Sequence, residues 1–120
     1  SAPTWEKLMM PADETFDGTW PYAPHFFEGN GFRQHYVDVN NAPDGADDVI
    51  IPLHGEPTWG YLYRNFIPRL SKVGRVIVPD HMGFGKSETP QDRDHSIRDH
   101  ADNLERLLLD LDVRNITFIM

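Results

Sequence analysis

Val49-Ile50-Ile51-Pro52-Leu53-His54-Gly55-Glu56-Pro57-Thr58-Trp59 passes from an apolar run with no polar alternation directly into a loop crowded with His, Gly, Glu, Pro and Trp. A continuous run of this kind suits a strand covered on both faces, as in parallel sheets. In open α/β sheets ligands bind just outside the carboxyl ends of such strands. The loop His54–Trp59 is therefore the first place to look for chemistry, with the rest of the chain as its two flanks.

Downstream, Leu62, Phe66, Ile67 and Leu70 recur at helical spacing, which predicts a helix over residues 60–71 with Pro68 disturbing its last turns and Gly74 ending it. Arg75 to Asp80 reads as the next buried strand, followed by the loop His81 to Glu88. A second helix begins at Ser96, where Asp99 three residues on makes a capping-box-like start. Ile97, Ala101, Leu104, Leu108 and Leu111 fall on one face and predict its buried stripe. Asn115 to Met120 reads as a further strand.

Upstream, Phe32 to Asn40 reads as an early, half-exposed strand. Pro43-Asp44-Gly45 forms the turn into the strand Asp48–Leu53. Pro52 removes a ladder donor and is expected near the end of the pairing. Residues 1–30 hold prolines at 3, 11, 21 and 24 among many aromatics. Proline at that density prevents a long helix, and the rings predict an irregular arm pinned onto the body. Strand, helix, strand, helix, strand defines an α/β layered sheet with right-handed crossovers.

The 120 residues carry a formal charge of −8, which disfavours nucleic acid or an anionic membrane as partner. No cysteine is present, so disulfides and thiolate metal sites are excluded. No apolar stretch approaches the roughly 18 residues that span a bilayer. The expectation is a soluble, cytoplasmic protein.

Three constellations could carry chemistry. Gly85-Lys86-Ser87 resembles the end of a phosphate-binding loop, but the position that needs glycine holds Asp80, whose carboxylate would repel phosphate. Thr89-Pro90 also interrupts the helix that should follow. A glycine turn passing close beneath an active-site loop is the better account. Histidines occupy positions 25, 35, 54, 81, 95 and 100, with no pair at zinc-ligand spacing on one helix face. His54, at the tip of its strand, reads as a hydrogen-bonder holding the loop or as a catalytic group, whereas His81 and His100 read as ordinary polar residues without partners. Glu56, between Gly55 and Pro57 and beside Trp59, could have a carboxyl raised by desolvation, or a backbone N–H aimed into an oxyanion hole. A surface glutamate is the equal alternative.

His54-Gly55-Glu56-Pro57-Thr58-Trp59, then Tyr61-Leu62-Tyr63-Arg64, Ile67-Pro68, Pro79-Asp80 and Gly83-Phe84-Gly85-Lys86-Ser87 strongly resemble the haloalkane dehalogenases of the α/β-hydrolase fold. The likeness extends to the aromatic-proline arm and to residues 111–119. His-Gly-x-Pro by itself is shared with epoxide hydrolases and esterases; the Glu-Pro-Thr-Trp extension points to the dehalogenase subgroup carrying Glu in this loop.

The resemblance implies the N-terminal part of a single α/β-hydrolase domain, with residues 1–30 as arm and 31–120 as the start of a mostly parallel sheet core flanked by helices. It implies displacement of halide by an aspartate carboxylate, hydrolysis of the resulting ester by water, and no cofactor or metal. The implied substrate is a small halogenated hydrocarbon, and a monomer is expected for the full-length form. By the same resemblance Glu56 is expected to supply one backbone side of the oxyanion hole, with its side chain near the water and halide region. His54, Gly55, Pro57 and Trp59 are expected to belong to the pocket loop. The nucleophile is expected a few residues beyond Met120, in a Gln/His-Asp-Trp-Gly-Gly elbow, with base, acid and cap domain later still. The 120 residues alone are expected to be inactive. An epoxide hydrolase, a serine esterase and a catalytically silent binding protein on the same scaffold are the alternatives.

Overall fold

A computed structural model describes residues 10–55, 58–93 and 95–120. Five strands form one sheet: β1 (His25–Phe27), β2 (Gln34–Asn40), β3 (Val49–Pro52), β4 (Arg75–Pro79) and β5 (Ile116–Ile119), in the order β1-β2-β4-β3-β5. β3 pairs in parallel with β4 and β5, while β1 and β2 extend the sheet antiparallel. The sheet is therefore mixed, with its parallel part where the apolar runs lie. All four residues of β3 are buried, as its unbroken apolar sequence requires. Pro52 closes β3 opposite Ile119, so its missing donor falls at the end of the ladder.

The two faces are covered by different layers. On one, Trp20 of the arm, Tyr63 and Ile67 pack onto Val37, Ile50, Val76 and Val78. On the other, Leu108 and Leu111 pack against Val49, Ile51 and Ile77. The arm is anchored as its rings predicted, with Phe16 and Trp20 against Trp59 and Tyr61. It also contributes β1, a three-residue strand hidden in the proline-rich sequence by its brevity.

Several local expectations are corrected. The segment after the loop is a 3₁₀ turn at Gly60–Tyr63 followed by a short helix, α1 (Ile67–Leu70). Pro68 lies in the first turn of α1, where its missing N–H has no intrahelical duty, so it starts the helix and does not disturb its end. β2 is more buried than half-exposed, because β1 and β4 pair with it on both sides. The middle strand is β4, and β3 is its neighbour.

The long helix, α2 (Ile97–Leu111), has the capping box of Ser96 and Asp99. Its buried positions are His100, Asn103 and Leu107, whereas Ile97 is 86% exposed. The helix is rotated from the expected stripe, so that the His100 ring packs against His81 and Phe84 and Asn103 Nδ2 lies 3.8 Å from Met82 Sδ. Asn103 receives a hydrogen bond at its carbonyl from Asn30 Nδ2 at 3.0 Å. Of the expected stripe, Leu108 and Leu111 do reach the sheet, while Leu104 and the outer side of Leu108 line an apolar groove of about 340 Å³ with Phe118.

Candidate active site

The carboxyl ends of β3 and β4 hold two loops, His54–Trp59 and His81–Glu88, packed side by side. Glu56 and Pro57 lie outside the described residues, so the expectations for them carry forward as proposals. On the flanks of this loop the geometry is defined. Leu53 N–H donates to Ile119 C=O of β5 at 2.7 Å, and Tyr63 Oη donates to Leu53 C=O at 2.7 Å. The strand is thus held at its exit from both directions.

His54 is buried, and its ring is committed to the loop. The backbone N–H of His81 donates to His54 Nε2 at 2.9 Å. An Nε2 that accepts carries no proton, so the neutral ring bears its hydrogen on Nδ1, which donates to Gly55 C=O at 3.0 Å. The lone pair a general base would need is already taken, and His54 acts as a brace. The Gly55 carbonyl also receives Thr58 N–H at 2.9 Å and Thr58 Oγ1 at 2.6 Å, closing a tight turn. Trp59 has its ring stacked on Tyr61 at 5.4 Å and tilted against Trp20 at 5.3 Å, within the arm's aromatic cluster.

His81 and His100 are not isolated, contrary to expectation. The rings of His54 and His81 lie 4.4 Å apart and those of His81 and His100 5.1 Å apart. His81 Nε2 donates to the carbonyl of His54 at 3.1 Å. Burial, reinforced by the two neighbouring imidazoles, pulls the His81 pKa down to about 4, so His81 is neutral near pH 7. Among the described residues no group of three or more His, Cys, Asp or Glu could hold a metal ion. The cluster is a packing and hydrogen-bonding unit.

Asp80 is the residue that sequence reasoning missed. Fully buried, it accepts Gly60 N–H on Oδ1 at 2.7 Å, and His35 Nδ1–H and Lys86 N–H on Oδ2 at 2.9 Å each. The signal was an acid at the end of an apolar strand, quoted for the resemblance and against phosphate but given no role of its own. Gly85 passes hard against it: a Cβ there would lie 2.4 Å from Asp80 Oδ2 and 2.7 Å from Trp59 Cβ, at φ +55°. This is the close backbone passage beneath the loop that the sequence favoured over a phosphate cradle. Lys86 settles the matter. Its ammonium donates to the carbonyls of Ala12 at 2.8 Å and Glu14 at 2.7 Å, clasping the arm, and burial lowers its pKa.

A five-stranded mixed sheet with paired loops at the carboxyl ends of its parallel strands defines an α/β fold with an edge site. The family described as alpha/beta hydrolase fold matches residues 48–119, and the chain belongs to it. A haloalkane dehalogenase of Psychrobacter cryohalolentis is 39% identical over 120 residues, covering 92% of this chain and 39% of its own. A cis-3-alkyl-4-alkyloxetan-2-one decarboxylase of Shewanella oneidensis is 36% identical over 107 residues, 87% of this chain and 32% of its own. The tetrameric haloalkane dehalogenase of Paraglaciecola agarilytica matches with a TM-score of 0.73 at 36% identity, over 83% of this chain and 35% of that one.

The chain therefore spans between about a third and two fifths of these relatives' lengths. The likeness to haloalkane dehalogenases read from the loop is present in both sequence and structure. That tetramer contrasts with the monomer expected for the full-length form. No helix among the described residues is long and apolar enough to cross a membrane.

Proposed function

We propose that residues 1–120 form the N-terminal part of one hydrolase domain that releases halide from small haloalkanes, with residues 1–30 as arm and 31–120 as the start of the sheet core. A carboxylate oxygen of an aspartate beyond Met120 attacks the carbon bearing the halogen. The carbon–halogen bond breaks, halide leaves with the electron pair, and an alkyl ester remains. Water then adds to the ester carbonyl, its proton passes to a base outside these residues, and the alcohol departs. The backbone N–H of Glu56 holds the oxyanion of that second step, with His54, Gly55, Pro57 and Trp59 forming its loop. No cofactor enters the scheme.

The observation supporting this reading is the bond from Leu53 N–H to Ile119 C=O. It puts the exit of β5 beside the His54–Gly55 turn, where a nucleophile a few residues further along would face the loop's amides. The decarboxylase relative supplies a second reading on the same scaffold. A full-length protein containing these residues is offered 1-bromobutane, with bromide and 1-butanol both quantified, and separately a cis-3,4-dialkyloxetan-2-one with carbon dioxide measured. Equimolar bromide and butanol are expected. Carbon dioxide release alone favours the second reading, and silence on both favours a binding protein. The 120 residues alone are expected to release no bromide; turnover by that chain would overturn the mechanism.

A further inference from the structure

We infer that Asp80, oriented by His35, is a positioning residue that fixes the His54–Gly60 loop at its far end while the adjacent His81 fixes the near end. The inference deepens the proposed hydrolase site and rests on it for its kinetic consequence, though the clamp itself is a matter of geometry.

Two consecutive residues leaving β4 hold both ends of a loop that belongs to β3. His81 takes the near end, through its backbone N–H to His54 Nε2 and its ring Nε2 to the His54 carbonyl. Asp80 takes the far end through Oδ1 and Gly60 N–H. Its other oxygen is committed to Lys86 N–H and His35 Nδ1. All three donors are N–H groups, so only a group that accepts at both oxygens satisfies them. An ionised carboxylate does so and an amide cannot. His35 and Asp80 are each fully buried, which makes every one of these bonds expensive to lose. The backbone of Asp80 is itself held, its N–H donating to His35 C=O at 2.9 Å and its C=O accepting Ser87 Oγ at 2.8 Å. The carboxylate is therefore a rigid fixture for Gly60, and with His81 on His54 it fixes the two ends of the segment that the proposed mechanism uses.

The test uses full-length protein and two readouts. Amide exchange is followed at Gly60 and His81, with Val78 and Leu107 as reporters of the intact core. Turnover of 1-bromobutane is split into kcat and KM. Asp80→Asn must turn its amide N–H₂ toward another donor. It is expected to speed Gly60 exchange by about tenfold to a hundredfold and to lower kcat by about a hundredfold with KM changed less than about threefold. His35→Asn, whose Nδ2 takes the place of Nδ1, is expected to retain most of both properties, and His35→Leu to lose them. If Asp80→Asn unfolds the core, the His35 pair decides.

Unchanged Gly60 exchange in Asp80→Asn, or equal loss in His35→Asn and His35→Leu, overturns the clamp. Faster exchange with unchanged kcat overturns the positioning role. Absence of turnover in the unsubstituted protein counts against the hydrolase reading alone, because exchange still reports on the clamp.

Discussion

His81 grips His54 twice: its backbone N–H donates to Nε2 of His54 at 2.9 Å, and its own Nε2–H donates to the His54 carbonyl at 3.1 Å. The pair joins the loop after β3 to the loop after β4 and fixes one tautomer on each ring.

Replacing His54 with Phe removes the acceptor and leaves a His81 N–H without a partner in an enclosed site. The expected loss is about 1–3 kcal/mol. His54→Gln, which can present an oxygen near the former Nε2, should lose less. Urea unfolding with unchanged m-value measures both, and an equal loss in the two variants would show that packing and not the hydrogen bond carries the effect.

The His81 pKa of about 4 lies below the ordinary 6.5, so the unfolded chain binds a proton more readily than the folded one. Stability from this residue is therefore complete above pH 6.5 and declines as pH falls toward 4. His54, His100 and Asp80 face the same ring, the two imidazoles disfavouring its charged form and the carboxylate favouring it. Urea midpoints between pH 7.5 and 4 should fall more steeply for the unsubstituted chain than for His81→Gln. Parallel curves would contradict the assignment.

Lys86→Met removes the ammonium that donates to two carbonyls of the arm, those of Ala12 and Glu14. The arm is expected to loosen, with faster exchange at the Thr19 and Trp20 amides and a stability loss of about 1–3 kcal/mol. Protection of those amides at the original level would mean that the rings of Phe16 and Trp20 suffice by themselves.

Gly85→Ala would force a methyl into Asp80 and Trp59 at a positive φ, so a loss of about 1–3 kcal/mol or more is expected. At Gly55 a Cβ meets nothing within 4 Å, so Gly55→Ala should stay within about 0.5 kcal/mol in thermal unfolding. Reversal of that order would refute the close passage at Gly85.

The capping box at Ser96 is a local test of α2. Ser96→Ala should cost about 1 kcal/mol in chemical unfolding. Ser96→Asp, which keeps an acceptor for the Asp99 N–H, should recover part of it.

What the sequence disclosed follows from the range of each signal. β3 and β4 were legible because burial on both faces writes an unbroken apolar run, and Ser96 with Asp99 because a cap is built within four residues. Hydrophobic periodicity placed α2 but not its rotation, since His100 and Asn103 turn inward onto His81, Phe84 and Met82, contacts that apolar spacing does not register. The bond between His54 and His81 spans 27 residues and that between His35 and Asp80 spans 45, so no local pattern announces either. The loop itself was found through its crowding of unusual residues at a strand end; the acid and imidazoles that hold it had to be seen in space.

The Lys86 clasp makes its hydrogen bonds to carbonyl oxygens of the arm, with the Asp13 and Glu14 carboxylates adding attraction at longer range. Every residue type offers a carbonyl, so position 12 can drift in identity while the arm stays seated, whereas the Glu14 carboxylate also accepts the Thr15 and Phe16 N–H groups. The mutational burden falls on one lysine in a distant loop. A survey of variants should find position 12 permissive and position 86 intolerant, an asymmetry that exposure alone would not foretell.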